Sequence, residues 1–140
     1  MMTTARESAT TDDMQINALK IFFDGGCRPN PGDMETAVVA RGVTYINSNV
    51  GYGTNNDAEW LALIHAAEIA KAIGARDIVM LGDSALVVGQ ANGTANCRNA
   101  DFQAHLARFQ SISCSFDRIK IRKTPRNQNL AGIALAQMHR

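Results

Sequence analysis

Three acidic residues stand where apolar segments begin or end: Asp24 closes LKIFFD, Glu59 lies inside NNDAEWLALIHAAEIA, and Asp83 follows DIVMLG. A carboxylate at the margin of a buried element is costly unless its charge is compensated, so three at such positions point to a shared cation. An all-oxygen donor set suits Mg²⁺ or Mn²⁺, and with no His or Cys at zinc-ligand spacing zinc is disfavoured. Two such ions about 4 Å apart activate a water and stabilise the leaving oxygen of an in-line displacement, which is the chemistry of phosphodiester hydrolysis. Singly, each acid has a plainer account: Asp beside Gly or Ser is an ordinary turn residue or cap, and Glu59 alone would be a solvated helix residue.

For the three to meet, their elements must converge. ALKIFFD reads as a strand ending at Asp24, and GGCRPNPGD supplies the glycines and prolines of a loop. METAVVARG and VTYINSNVGYG read as two more strands joined at Arg41-Gly42, so the first three strands form an antiparallel meander. A helix capped by Thr54 or Asn55 carries Trp60, Leu61, Leu63, Ile64, Ala67 and Ile69 at helical spacing up to Gly74. ARDIVML is a buried strand, parallel to the first, leading into a helix over residues 84–90. A helix over 101–109, a fifth strand over 116–123 and a helix over 130–138 complete the order. Strands one and four as parallel neighbours place Asp24 and Asp83 side by side at their C-terminal ends, where open α/β sheets carry their sites. Glu59, about one turn into the first helix, points to the same spot.

The chain of 140 residues, 46% of them hydrophobic, is the size of one domain with a core of its own. Residues 1–15 are polar and without periodicity and read as a flexible tail, leaving 16–140 as the domain. Fourteen Lys and Arg against 13 Asp and Glu give a net charge of +1, so any grip on a polyanion is local. Cys27, Cys97 and Cys114 form neither a disulfide framework nor a zinc cluster, which fits a reducing cytoplasm. No apolar run has membrane-spanning length. A monomer without an obligate protein partner is the expectation. His65, His105 and His139 are read as structural or exposed, Trp60 as a core residue and Cys27 as a buried thiol.

FFDGGCRPNPG, TNNDAEWLALIHAAEIA, MLGDSALVVGQANG and TPRNQNLAGIALA follow one another in an order and spacing that resembles type 1 ribonuclease H over residues 18–138. The resemblance implies an α/β, ribonuclease H-like fold, a mixed five-stranded sheet flanked by helices. It also implies an endonuclease that cuts the RNA strand of RNA/DNA hybrids with two Mg²⁺ or Mn²⁺ ions, leaving 3′-hydroxyl and 5′-phosphate ends. Asp24, Glu59 and Asp83 match the first three metal-binding acids. Asn30, Asn55 and Asn56 match asparagines that meet the hybrid's minor groove, and Thr54 a threonine that holds a DNA-strand phosphate. Amides that both donate and accept suit 2′-hydroxyls and base edges, a threonine among free helical N–H groups suits an anion, and Gly25-Gly26 would let backbone approach the RNA. The same asparagines and threonine are equally common turn and capping residues.

The family's fourth acid aligns with Ile133, which cannot bind a metal. Asn129, one helical turn earlier, and Asn127 in the preceding loop are the substitutes, with Asn129 as the fourth catalytic residue and N-capping its competing role. An amide oxygen brings no charge, so the second ion is expected to be weak, with slower turnover or a preference for Mn²⁺. Lys123 to Arg126 form a basic loop without the histidine found in some members, and a basic insertion after the third motif is absent. Lys123 and Arg126, together with Lys120 and Arg122, are the remaining basic cluster for substrate, or else a solvated face. Two rivals follow: a weakened hybrid-binding module of the same fold, and a nuclease of altered preference that cuts RNA duplex or DNA.

Overall fold

A computed structural model describes residues 18–139. The expected tail over 1–15 lies outside the described residues. Strand β1 (Leu19–Cys27) runs into the Pro-rich loop and returns as β2 (Gly32–Ala40), which turns at Arg41-Gly42 into β3 (Val43–Asn47). Both turn residues have positive φ, 54° and 75°, the two-residue geometry whose twist matches that of the flanking strands. The third expected strand is broken. Asn49 at φ 57° and Gly51 at φ 127° bend the chain out of the ladder, and the remainder forms a separate two-residue strand, β4 (Tyr52–Gly53), paired with β2.

Helix α1 (Asn55–Ile73) opens on a Thr54 cap and closes on Gly74 in the left-handed conformation. Strand β5 (Asp77–Gly82) follows, then α2 (Ala85–Asn92), α3 (Ala100–Ser113), β6 (Arg118–Lys123), a 3₁₀ turn (Arg126–Gln128) and α4 (Leu130–Met138). The second helix starts a residue later than expected because Ser84 is its N-cap, and it runs on until Gly93 terminates it at φ 76°. The third is longer at both ends, with Asn99 capping its first turn. That growth shortens the last strand from its N-terminal side.

The main sheet has the order β3-β2-β1-β5-β6, with β4 off this path on β2. β1 pairs antiparallel with β2 and parallel with β5, and β6 is parallel to β5. This is the expected mixed sheet with an antiparallel first three strands. Ile21, Phe23, Ile78, Met80 and Ile121 face α1, α2 and α3, and form the larger core with Trp60, Leu63 and Phe109. Burying each large apolar side chain there contributes about 1.5–3 kcal/mol. The opposite face is thinner: Ala131 and Leu135 of α4 pack on Phe22, Ala37, Val39 and Ile46. Among the described residues no helix is long and apolar enough to cross a membrane.

Candidate active site

The register that pairs Phe22 with Leu81 brings the next same-face residues together, Asp83 just past β5 and Asp24 inside β1. Strand β1 does not end there as expected but runs on to Cys27, because Gly25, Gly26 and Cys27 stay paired with β2. Glu59 reaches them from α1 because that helix crosses β1 almost in backbone contact. A Cβ on Gly25 would lie 2.1 Å from the Ala58 carbonyl oxygen, so the helix approaches only because position 25 has no side chain. The Gly25 N–H then donates to Glu59 Oε1 at 2.8 Å. On β5, Gly82 makes room for the Phe23 ring, which a Cβ there would strike at 2.3 Å. Oxygens of the three carboxylates all fall within 4.8 Å of one another.

They line a cleft of about 590 Å³ with Asn55, Asn56, Ser84 and Arg126, closed on the α4 side by Gly132, Ile133 and Ala136. Glu59 is 8% exposed, and the Asp83 side chain 6%. Burial, then the neighbouring Asp24 charge, pushes the Glu59 carboxyl up to about 9. Burial, then Asp83, pushes Asp24 up to about 6. The compensation on hand is slight, since Arg126 is 89% exposed and its Nε lies 3.8 Å from Asp83 Oδ1. Three carboxylates this close must take up protons or a cation near neutral pH. The donors are all oxygen and the cleft lining contains no His or Cys, so Mg²⁺ or Mn²⁺ fits these residues.

Asn129 is fully buried. Its Nδ2 donates to the Phe23 carbonyl and to Asp83 Oδ2, both at 3.0 Å, while its Oδ1 caps α4 by accepting from Ala131 N–H. The amide therefore turns a donor, not a ligand oxygen, toward the carboxylates. Ile133, 39% exposed, presents a hydrocarbon wall at the cleft. Gly132 is closer still, where a Cβ would sit 3.4 Å from Asp24 Oδ2.

The expected substrate residues divide. Asn55 and Asn56 line the cleft. Asn55 Oδ1 accepts from Cys27 N–H at 3.0 Å, and Asn30 Oδ1 accepts from Asn55 N–H at 3.1 Å, so both oxygens stitch the β1–β2 loop to the start of α1. Thr54 is committed more fully. Its hydroxyl donates to Asp57 Oδ2 at 2.9 Å and accepts from Asp57 N–H, and its own N–H donates to the same carboxylate. Burial raises Asp57, but the Thr54 N–H and hydroxyl, together with His105, outweigh that and leave it below the ordinary carboxylate range. An ionised carboxylate thus occupies a helix N-terminus that would otherwise suit a phosphate. Sequence reading missed Asp57; the T-x-x-D spacing of a capping box was the available signal. Lys123 is exposed at the end of β6, outside the cleft lining. The Gly25-Gly26 pair does not lie open for RNA at Gly25, whose space is filled by α1. His65 bonds Thr36 and Asn47, His105 bonds Asp57, and His139 bonds Glu35, and none lines the cleft. Trp60 is buried with its indole N–H on Gln90, and Cys27 is a buried thiol.

A parallel β1–β5 pair bearing two carboxylates, with a third from the crossing helix, defines an α/β fold with an all-oxygen acid cluster at the end of its sheet. The family model described as reverse transcriptase-like matches residues 23–139. Ribonuclease HI of Halobacterium salinarum is 35% identical over 124 residues, 82% of this chain and 60% of that protein. A bifunctional protein of Mycobacterium tuberculosis is 32% identical over 122 residues, 83% of this chain and 34% of its own length. The chain therefore spans somewhat under two thirds of the first of these relatives and about a third of the second. Among solved structures, RNase H1 of Halobacterium salinarum superposes with a TM-score of 0.80 at 32% identity, covering 85% of this chain and 94% of that one. LC11-RNase H1 in complex with an RNA/DNA hybrid superposes at 0.74 with 28% identity, over 84% and 92%. The chain belongs to the type 1 ribonuclease H family.

Proposed function

We propose that this protein hydrolyses the RNA strand of RNA/DNA hybrids, leaving 3′-hydroxyl and 5′-phosphate ends. The observation that carries the reading is the convergence of Asp24, Glu59 and Asp83 within 4.8 Å at the floor of an open cleft, in a chain similar to a ribonuclease whose structure holds such a hybrid. These three residues would hold Mg²⁺ or Mn²⁺. The chemistry such ions supply when bound is activation of a water and neutralisation of charge developing on the phosphoryl oxygens.

The chain's own groups prepare that site. Gly25 N–H orients Glu59, and the Asn129 amide orients Asp83; Asn129 is thus a positioning residue in our reading. Arg126 overhangs the cleft as a flexible cation for the scissile phosphate. Asn55 and Asn56 face the minor groove, with Asn30 and Thr54 acting through the loop and helix start they brace. Lys123 adds charge at the rim. Two ions per site are expected, the second weak, because α4 offers Gly132, Ile133 and Ala136 where a further oxygen would be needed. We place the protein in the cytoplasm as a monomer without an obligate protein partner, with residues 16–140 as its domain.

The aliphatic wall at Ile133 also favours one rival, a hybrid-binding module that cuts slowly or not at all. Labelled hybrid, RNA duplex and DNA duplex incubated with Mg²⁺ or Mn²⁺ decide between them, with Asp83→Asn as control. Cleavage confined to the RNA of the hybrid and lost in Asp83→Asn is expected. Binding without cleavage at any metal concentration would replace the nuclease reading with the module, and equal cutting of RNA duplex or DNA would replace its specificity.

A further inference from the structure

The two faces of the sheet are unequally covered. Ile78, Met80 and Ile121 lie in the core beneath α1, α2 and α3. On the other face α4 packs over β1, β2 and β3, and among the described residues no helix covers the β5–β6 half. Register orders the rows: Lys20, Val79 and Lys120 share one, and Phe22, Leu81 and Arg122 the next, of which Phe22 lies under α4 and the others are left open. Two residues further along β1 and β5 stand Asp24 and Asp83. The open face therefore leads straight into the cleft.

Lys20 and Arg122 are exposed, and Lys120, Val79 and Leu81 half-buried. Among the described residues none of these three cations has a carboxylate within ion-pair distance. Apart from the cleft acids Asp24 and Asp83, the acid on this open face is Asp77, one row beyond Lys120 at the end away from the cleft, beside Arg118. Charges on β6 alone would be explained as protection of an edge strand against pairing. Lys20 is not, because β1 is paired on both sides. A basic strip with an apolar floor, continuous with a site for phosphodiesters, is complementary to a nucleic-acid backbone.

We propose that this face is a track for the part of the hybrid beyond the cleavage point, with phosphates against Lys20, Lys120 and Arg122. The proposal rests on the hybrid reading above and deepens it. Four residues at about 3.3 Å separate the Lys20 row from Asp24, so the track extends about 13 Å from the acids. At about 3.4 Å per base pair that is about four base pairs of duplex. It supplies local grip to a chain whose net charge is only +1.

The test is fluorescence anisotropy without divalent ions, on the full chain. The wild type, Lys20→Gln and a Lys20→Gln/Lys120→Gln/Arg122→Gln variant are titrated with hybrids of about eight and about sixteen base pairs, the shorter leaving little duplex beyond the cleft. The triple variant should lose at least tenfold on the long hybrid and less than about threefold on the short one. Its slope of log affinity against log salt on the long hybrid should flatten by about 2–3, near 0.9 per lost phosphate contact. Lys20→Gln alone, which leaves the edge strand intact, should account for about a third of that change. Unchanged affinity and slope in the triple variant would show an idle face, and equal loss on both hybrids would move these cations to the cleft; either overturns the proposal. Wild-type protein that binds neither hybrid would overturn the functional reading and this proposal with it.

Discussion

Glu59 and Asp24 carry a signature that can be read without any substrate. Their folded-state carboxyls are raised from 4.5 to about 9 and from 3.8 to about 6. A raised acid favours the folded state while protonated, so its contribution is complete below its unfolded value and is lost as pH rises through the folded one. In chelator the melting temperature should fall as pH rises, through about 6 for Asp24 and about 9 for Glu59. Glu59→Gln should flatten the upper part of that window, and Mn²⁺ added at pH 8 should restore the loss in the wild type only. A wild-type melting temperature indifferent to pH in this range would contradict the site's electrostatics. Ile133 provides the second residue-scale prediction. A carboxylate there would face the cleft on the side where α4 now offers none, so Ile133→Asp should raise activity at low Mg²⁺ about tenfold or more, as an added charged ligand strengthens a weak site. Wild-type activity equal to that of the variant in a Mg²⁺ titration would remove the basis for a weak second ion.

At the scale of elements, the site depends on how closely α1 and α4 approach β1 and β5. Gly25→Ala forces a Cβ to within 2.1 Å of the Ala58 carbonyl, and backbone cannot yield as a flexible side chain does. Denaturant unfolding should show a loss of about 2–3 kcal/mol, with activity falling further because Glu59 moves with its helix. Asn129 joins three elements through one amide, holding β1 at Phe23, Asp83 after β5 and the first turn of α4. Asn129→Ala removes a helix cap and leaves a buried carbonyl short of a donor, so a cost of about 2–3 kcal/mol is expected. An Asn129→Ala protein of wild-type stability would show that the amide is not what ties these elements together.

For the whole molecule, a near-neutral charge and an anion-unfriendly helix start at Asp57 leave substrate grip to a few cations on one side. Binding should be weak and fall steeply with salt, a trend that anisotropy between about 50 and 200 mM salt measures directly. Affinity that holds constant across that range would mean that groove contacts, not phosphates, dominate. The fold that imposes this layout was largely legible beforehand. Period-2 and helical patterns marked β1, β2, α1, β5 and α4, and the positive-φ turn at Arg41-Gly42 was marked by its glycine. The break at Asn49 and Gly51 was not, because an apolar run on either side masks two bent residues. The ends of α2 and α3 depended on caps at Ser84 and Asn99 whose partners are backbone groups that form only with the helix.

Chain order and local pattern alone determined that Asp83 follows directly on a strand, that β1 and β5 run parallel, and that position 133 lacks an acid, since these follow from residue type and periodicity. That β1 runs past Asp24 to Cys27 was decided by its pairing with β2. Tertiary structure decided the functions of groups with two possible partners. Asn129 could cap or ligate, Thr54 could bind a phosphate or Asp57, and Gly25 could admit RNA or a helix; each has a single set of hydrogen bonds or a single volume to give. Only packing shows where it went, because those partners lie far away in sequence and adjacent in space.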